Sequence, residues 1–210
     1  MTTLEELREA LVEGRAKVAA AKVNEGLAGG IDAESLLREG LIAGMAEVGQ
    51  LYENGEIFVP EMLVAARAMN GALAVLKPYL VQQGVASSGK VAIGTVQGDL
   101  HDIGKNLVAM MLEGAGYEII DLGVDVPPES FVQAVRDGAN VVAMSALLTT
   151  TMTNMPTIVA ALEEAGLRQK ARIVVGGAPL TSSYAEEIGA DGYAVDASGA
   201  ARLVREVLAA

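Results

Sequence analysis

Lys90-Val91-Ala92-Ile93-Gly94-Thr95-Val96-Gln97-Gly98-Asp99-Leu100-His101-Asp102-Ile103-Gly104 decides the fold. A short, β-branched apolar run stops at a polar, glycine-bounded loop, and a helical pattern follows to about Glu113. The pattern then repeats. Strands are expected at Tyr117 to Leu122, Asn140 to Leu147, Arg172 to Gly176 and Gly192 to Val195. Helices are expected near Glu129 to Asp137, Asn154 to Ala165, Ser182 to Ile188 and Ala200 to Leu208. Strands alternating with helices mean βαβ units and a parallel sheet, and the strands' apolar runs suit burial on both faces. The expected fold is therefore α/β, a flavodoxin-like five-stranded parallel sheet in which strands 1 and 3 flank the switch point. Ligands on such sheets bind outside the carboxyl ends of the strands.

Upstream of residue 85 the periodicity is helical. Leu4, Leu7, Leu11, Val18 and Val23 fall near helical spacing, as do Leu36, Leu37, Leu41, Ile42, Met45 and Val48. Pro60 opens a further helix carrying Met62, Leu63, Ala66 and Met69, and Gly29-Gly30 and Asn54-Gly55 interrupt the series. About four helices in a small bundle are expected over residues 1–84. Residues 85–89 read as a linker, and 90–210 as the α/β domain.

Composition narrows the function. The net charge of −12 disfavours nucleic acid or an anionic membrane as partner. Aromatic residues are only 3% of the chain, so the core must be aliphatic. No secretory leader is apparent, and uninterrupted apolar runs fall short of the roughly twenty residues that span a bilayer. A cytoplasmic setting is expected.

The chain has one histidine, His101, and no cysteine. A tetrahedral zinc site needs about four ligands, usually three of them from protein. A lone imidazole instead suits a metal already held by a macrocycle, to which it adds one axial nitrogen. Asp99, two residues away, can take one ring nitrogen and leave the other free. A solvated loop histidine beside an acid would give the same local pattern. Ser145-Ala146-Leu147-Leu148-Thr149-Thr150-Thr151 crowds hydroxyls at the end of strand 3, either for helix capping or for a ligand. Gly176-Gly177 ends strand 4, either as a turn or to admit something flat.

Asp99-x-His101-x-x-Gly104, Ser145-x-Leu147 and Gly176-Gly177, in order and at matching strand ends, resemble the signature of cobalamin-binding domains. The run on through Lys105-Asn106-Leu107-Val108 is similar too. The helical half resembles the cap module of methionine synthase, and nearly the whole chain is similar to corrinoid proteins of methyltransferase systems. The resemblance implies that His101 is the lower axial ligand of cobalt in a base-off/His-on corrinoid. Asp99 would hydrogen-bond His101 and Thr151 would complete the relay, where methionine synthase has a serine. Gly98, Leu100 and Asp102 would line the lower corrin face, and Ile103 and Gly104 would also bind the cofactor. Ser145 and Thr149 would surround the nucleotide tail, Gly176, Gly177 and Ala197 would make room for it, and Leu147 would be a further cofactor-binding residue. Phe58 would lie over the upper face, although an ordinary core phenylalanine fits the same sequence.

The implied function is a methyl carrier. Cobalt(I) would accept a methyl group from a donor-specific methyltransferase, and an acceptor methyltransferase would pass it to tetrahydrofolate or a thiol. A reductive activating protein is a further implied partner, and the segment near Gly84 to Gly89 a candidate hinge. Methoxylated aromatics, methanol and methylamines are open as donors, the first fitting a folate-linked carrier. A subunit of an adenosyl-cobalamin isomerase shares the motif but normally accompanies a barrel domain. A cobalamin-dependent sensor would carry a DNA-binding module, which an acidic helical half does not resemble. A phosphoacceptor receiver needs an acid at the end of strand 3, where Met144-Ser145-Ala146 has none. A flavodoxin needs more aromatics and a hydroxyl-rich first loop.

Overall fold

A computed structural model describes residues 2–85 and 87–209. It divides into two compact units, Met1–Ser88 with Glu113–Gly116, and Gly89–Leu112 with Tyr117–Ala210. Ala86, within the expected linker, lies outside the described residues.

The first unit is helical: α1 (Thr3–Val12), α2 (Ala16–Ala28), α3 (Ala33–Ser35), α4 (Ala43–Glu53) and α5 (Val59–Gln83). Between α3 and α4 the chain does not break but passes through a π-helical stretch, Leu36–Ile42. The expected second helix is thus continuous with a widened middle. Thr2 caps α1 with a reciprocal pair, its hydroxyl accepting from the Glu5 N–H and its own N–H donating to the Glu5 carboxylate. Leu7, Leu11, Val23, Leu36, Leu41, Val48, Met62, Met69 and Leu76 are buried, as the helical spacing requires. Val18, expected on the same stripe, is 37% exposed. By length and composition α5 is apolar enough to cross a bilayer, because its average hydropathy survives interruption by single charges. Eight of its residues are nevertheless buried within the described protein, as in a core helix.

The second unit is a parallel sheet of order β2-β1-β3-β4-β5, built from β1 (Lys90–Val96), β2 (Glu118–Val126), β3 (Val141–Ser145), β4 (Arg172–Gly176) and β5 (Gly192–Ala194). Its helices are α6 (Ile103–Gly114), α7 (Pro128–Arg136), α8 (Thr149–Met152), α9 (Met155–Glu164), α10 (Ser182–Glu187) and α11 (Ala197–Ala209). The expected flavodoxin-like order is present, with β1 paired to both β2 and β3. Val142, Met144, Ile158, Leu162, Ile173 and Phe131 form the core between the sheet and its helices.

Two differences matter for the site. Strand β2 runs four residues past Leu122, and its register against β1 shifts twice, from Ile93↔Asp121 to Gly94↔Gly123 and then to Val96↔Val126. Each shift is a β-bulge, an extra residue that bends the strand and re-aims side chains. Strand β3 ends at Ser145, two residues early, and α8 forms from the hydroxyl-rich segment.

Candidate functional site

Strand β1 ends in a turn that points the next residues over the carboxyl edge of the sheet. The Asp99 N–H donates to the Val96 carbonyl at 3.1 Å. Gly98 has φ +83°, the left-handed conformation that the third residue of a type II turn requires. The loop is then pinned from several directions. The buried Thr95 hydroxyl donates to the His101 carbonyl at 2.8 Å, and Asn154 Nδ2 donates to the Gln97 carbonyl at 2.7 Å.

Asp99 is fully buried, yet its carboxylate accepts four hydrogen bonds. Oδ1 takes the His101 N–H at 3.1 Å and His101 Nδ1 at 2.6 Å. Oδ2 takes the Leu147 N–H at 2.8 Å and the Thr151 hydroxyl at 2.6 Å. A carboxylate has about four lone-pair sites, so this one is saturated. Burial by itself pushes its pKa up; the bonds from Thr151, Leu147 and His101 outweigh burial and hold it far below the usual carboxylate range. An ionised Asp99 is acceptor-only, so Nδ1 carries the proton and Nε2 presents its lone pair. The His101 side chain is 51% exposed. The predicted trio Asp99, His101 and Thr151 is therefore one connected unit, with Leu147 contributing its backbone rather than its side chain.

The remaining candidates sit around it. Leu100, Asp102, Ile103 and Gly104 are exposed on the same loop and the first turn of α6, as is Gly98. Ser145 is the last residue of β3 and Thr149 the first of α8. Gly176 closes β4, paired with Ser145, and Ala197, buried, opens α11. Gly177 is required by the chain itself: at φ +138°, a Cβ there would collide with the Ala146 carbonyl. Phe58 belongs to the helical unit, where it precedes α5 and is 67% exposed, so it is not a core phenylalanine. Its N–H donates to the Glu61 carboxylate at 3.1 Å.

In the α/β unit the exposed large apolar side chains are Leu100, Ile103, Val124, Leu147, Leu148 and Val195. Every one lies at or just beyond the carboxyl end of a strand. Such a cluster marks a surface that something covers. No group of three or more His, Cys, Asp or Glu side chains able to hold a bare metal ion occurs among the described residues. One oriented imidazole in an apolar apron suits a metal that brings its own flat, apolar macrocycle.

The sequence did not point to Lys105, Asp121 or Asp125 as members of this region. Lys105 is almost completely buried in α6, and its Nζ binds both Asp121 oxygens, at 2.7 and 2.8 Å, and Asn106 Oδ1 at 2.6 Å. Asn106 Nδ2 in turn donates to Asp102 Oδ2 at 3.1 Å. Asp121 is held below the usual carboxylate range because the bonds from Lys105 and the Gly123 N–H overcome the opposing effect of burial. The Lys105-Asn106 dipeptide, visible as part of the motif, was the available signal.

Comparison with known proteins gives the family. Residues 89–202 match a family described as B12 binding domain, and residues 3–77 match a second family of the same description. The chain is 45% identical to the trimethylamine corrinoid protein of Methanosarcina barkeri, over 96% of this chain and 94% of that one. It is 42% identical to dimethylamine corrinoid protein 1 of Methanosarcina acetivorans, over 98% and 97%. The crystal structure of the methanol:cobalamin methyltransferase complex MtaBC from Methanosarcina barkeri superposes with a TM-score of 0.86 at 28% identity, covering 99% of this chain and 80% of that one.

Proposed function

Because the chain belongs to the B12-binding corrinoid proteins of methyltransferase systems, we propose that it is a cytoplasmic methyl carrier served by two methyltransferases. One would be specific for the methyl donor. The other would deliver the methyl group to tetrahydrofolate or a thiol, and a reductive activating protein would restore a carrier that has been oxidised. The observation that carries the reading is the imidazole of His101, tied through Nδ1 to a buried, saturated carboxylate and set among exposed apolar side chains. Methylated amines are the first donor class to test, since two relatives similar over nearly the whole chain are named for them. Methanol and methoxylated aromatics are the alternative outcomes of that test.

The bound corrinoid supplies a cobalt centre on which a methyl group can be accepted and given up. This chain's residues do the rest. His101 Nε2 would hold the metal. Asp99 fixes the tautomer that makes Nε2 a donor. Should Nε2 release the metal, Asp99 would keep its hydrogen bond to Nδ1 and hold the ring in place. Thr151 and the Leu147 N–H keep Asp99 ionised meanwhile, so the proton stays on the ring. Gly98, Leu100, Asp102, Ile103 and Gly104 would face the ring system. Ser145, Leu147 and Thr149 would flank the tail, with Gly176, Gly177 and Ala197 leaving it space.

The test is the His101→Ala protein, reconstituted with corrinoid and offered methylamines, methanol or a methoxylated aromatic with the cognate methyltransferase. The variant should show an altered cobalt spectrum and slowed methyl transfer. An unaltered spectrum and rate would remove His101 from the metal.

A further inference from the structure

Asp125 has φ +53° and is the one non-glycine residue with a left-handed backbone among the described residues. Such a conformation is costly for a side-chain-bearing residue, although aspartate tolerates it better than most. It persists only where the surroundings over-determine it, and such residues cluster at functional sites. Asp125 is exposed, so core packing does not impose the strain.

Its hydrogen bonds do. Asp125 lies in the second bulge of β2, where three residues of that strand advance against two of β1. The bulge swings it over the loop that follows β1. There its Oδ1 accepts the Gly98 N–H at 2.7 Å, and its own N–H donates to the Asp99 carbonyl at 3.0 Å. The strand on one side of β1 thus grips the backbone of residues 98 and 99. The strand on the other side leads into Leu147 and Thr151, which grip the Asp99 side chain.

We propose that Asp125 is a positioning residue for His101, acting through the Gly98 N–H and the Asp99 carbonyl to hold the carboxylate where it aligns the imidazole for the metal. The inference rests on the reading of His101 as a metal ligand. Without Asp125 the Asp99 N–H would keep its bond to the Val96 carbonyl, but the Gly98 N–H and the Asp99 carbonyl would lose their partner, loosening the segment that carries the carboxylate and, through it, the imidazole. Groups that orient a metal-bound histidine in this way change metal affinity when removed.

Two substitutions separate positioning from bulk stability. Asp125→Gly accepts the left-handed backbone and keeps the N–H to Asp99, but lacks the acceptor for Gly98. Asp125→Asn keeps both an acceptor oxygen and tolerance of positive φ. The proteins are loaded with corrinoid, reduced to cobalt(II), and the ratio of histidine-bound to histidine-free cobalt is read from nitrogen splitting in the paramagnetic resonance spectrum. Thermal unfolding of the corrinoid-free proteins is measured alongside. Asp125→Gly should lower that ratio about ten-fold while unfolding near the unsubstituted protein, and Asp125→Asn should restore it to within about two-fold. A ratio unchanged in Asp125→Gly, or lowered as far in Asp125→Asn, overturns the proposal. Should Asp125→Gly fail to fold, amide exchange in the unsubstituted protein decides: a Gly98 N–H that exchanges as fast as a free loop amide overturns it, and a protected one supports it. No histidine splitting in the unsubstituted protein would instead indict the reading of His101 itself.

Discussion

The Thr151 hydroxyl has one proton and two acceptors in reach, Asp99 Oδ2 at 2.6 Å and the Leu148 carbonyl at 3.1 Å. The shorter bond goes to a charged oxygen, and charge-assisted bonds are the stronger kind. Thr151→Val keeps the shape and removes the donor, leaving a buried carboxylate one bond short. The expected cost is about 1–3 kcal/mol in urea unfolding of the corrinoid-free protein. Thr151→Ser keeps the donor and loses a methyl group, so its cost should stay near or below about 1 kcal/mol. Equal costs for the two would contradict the relay. The residues that meet at this point were legible because their types are chemically distinctive: one histidine, an acid two away, and hydroxyls at the end of a different strand. The other two bonds to Asp99 were not legible, because the His101 and Leu147 N–H groups belong to the backbone and no side chain announces them.

At the scale of elements, α6 and β2 are tied by a buried cation. Lys105 is 2% exposed, whereas the Asp121 side chain is about half exposed. The ionised Asp121 is preferred by the folded protein, since its pKa is lowered there. An unfolded aspartate titrates near about 3.9. Stability from this pair is therefore fully present above that pH, and is lost as the pH falls below it through the folded value. Asp121→Asn imitates the protonated form. It should unfold at lower urea than the unsubstituted protein at pH 7, with the difference narrowing once the pH falls below the unfolded value. A difference independent of pH would show that the charge contributes nothing.

The end of β4 gives a second prediction. A Cβ on Gly177 meets backbone that cannot move aside, whereas one on Gly176 stands 3.2 Å from the Ala194 carbonyl. Gly177→Ala should cost at least about 2 kcal/mol in unfolding free energy, and clearly more than Gly176→Ala. The strands themselves were readable as apolar runs of the right length. The end of β2 was not, since Gly123 and Asp125 are poor strand residues and only the bulges accommodate them. Nor was the π-helical stretch Leu36–Ile42 readable, because a slipped hydrogen-bond register leaves the apolar periodicity nearly intact. Lys105 in sequence looks like any helix-surface lysine; only packing shows that it is inside.

For the whole molecule, a change of period near residue 85 separates a helical unit from an α/β unit, and each is recognisable alone. The residues proposed to hold the metal and to position its ligand lie in the α/β unit, at the edge where parallel sheets place their ligands. That concentration makes one bond the decisive object. The direct measurement is the electron paramagnetic resonance spectrum of the corrinoid-loaded, cobalt(II) protein, prepared with ordinary histidine and with histidine labelled with nitrogen-15. As the only histidine, His101 is the only source of a labelled ring nitrogen. The account predicts that each cobalt line is split into a triplet by ordinary nitrogen, becomes a doublet on labelling, and loses the splitting in His101→Ala. Splitting that ignores the label, as from the corrinoid's own base, or no nitrogen splitting at all, would contradict it.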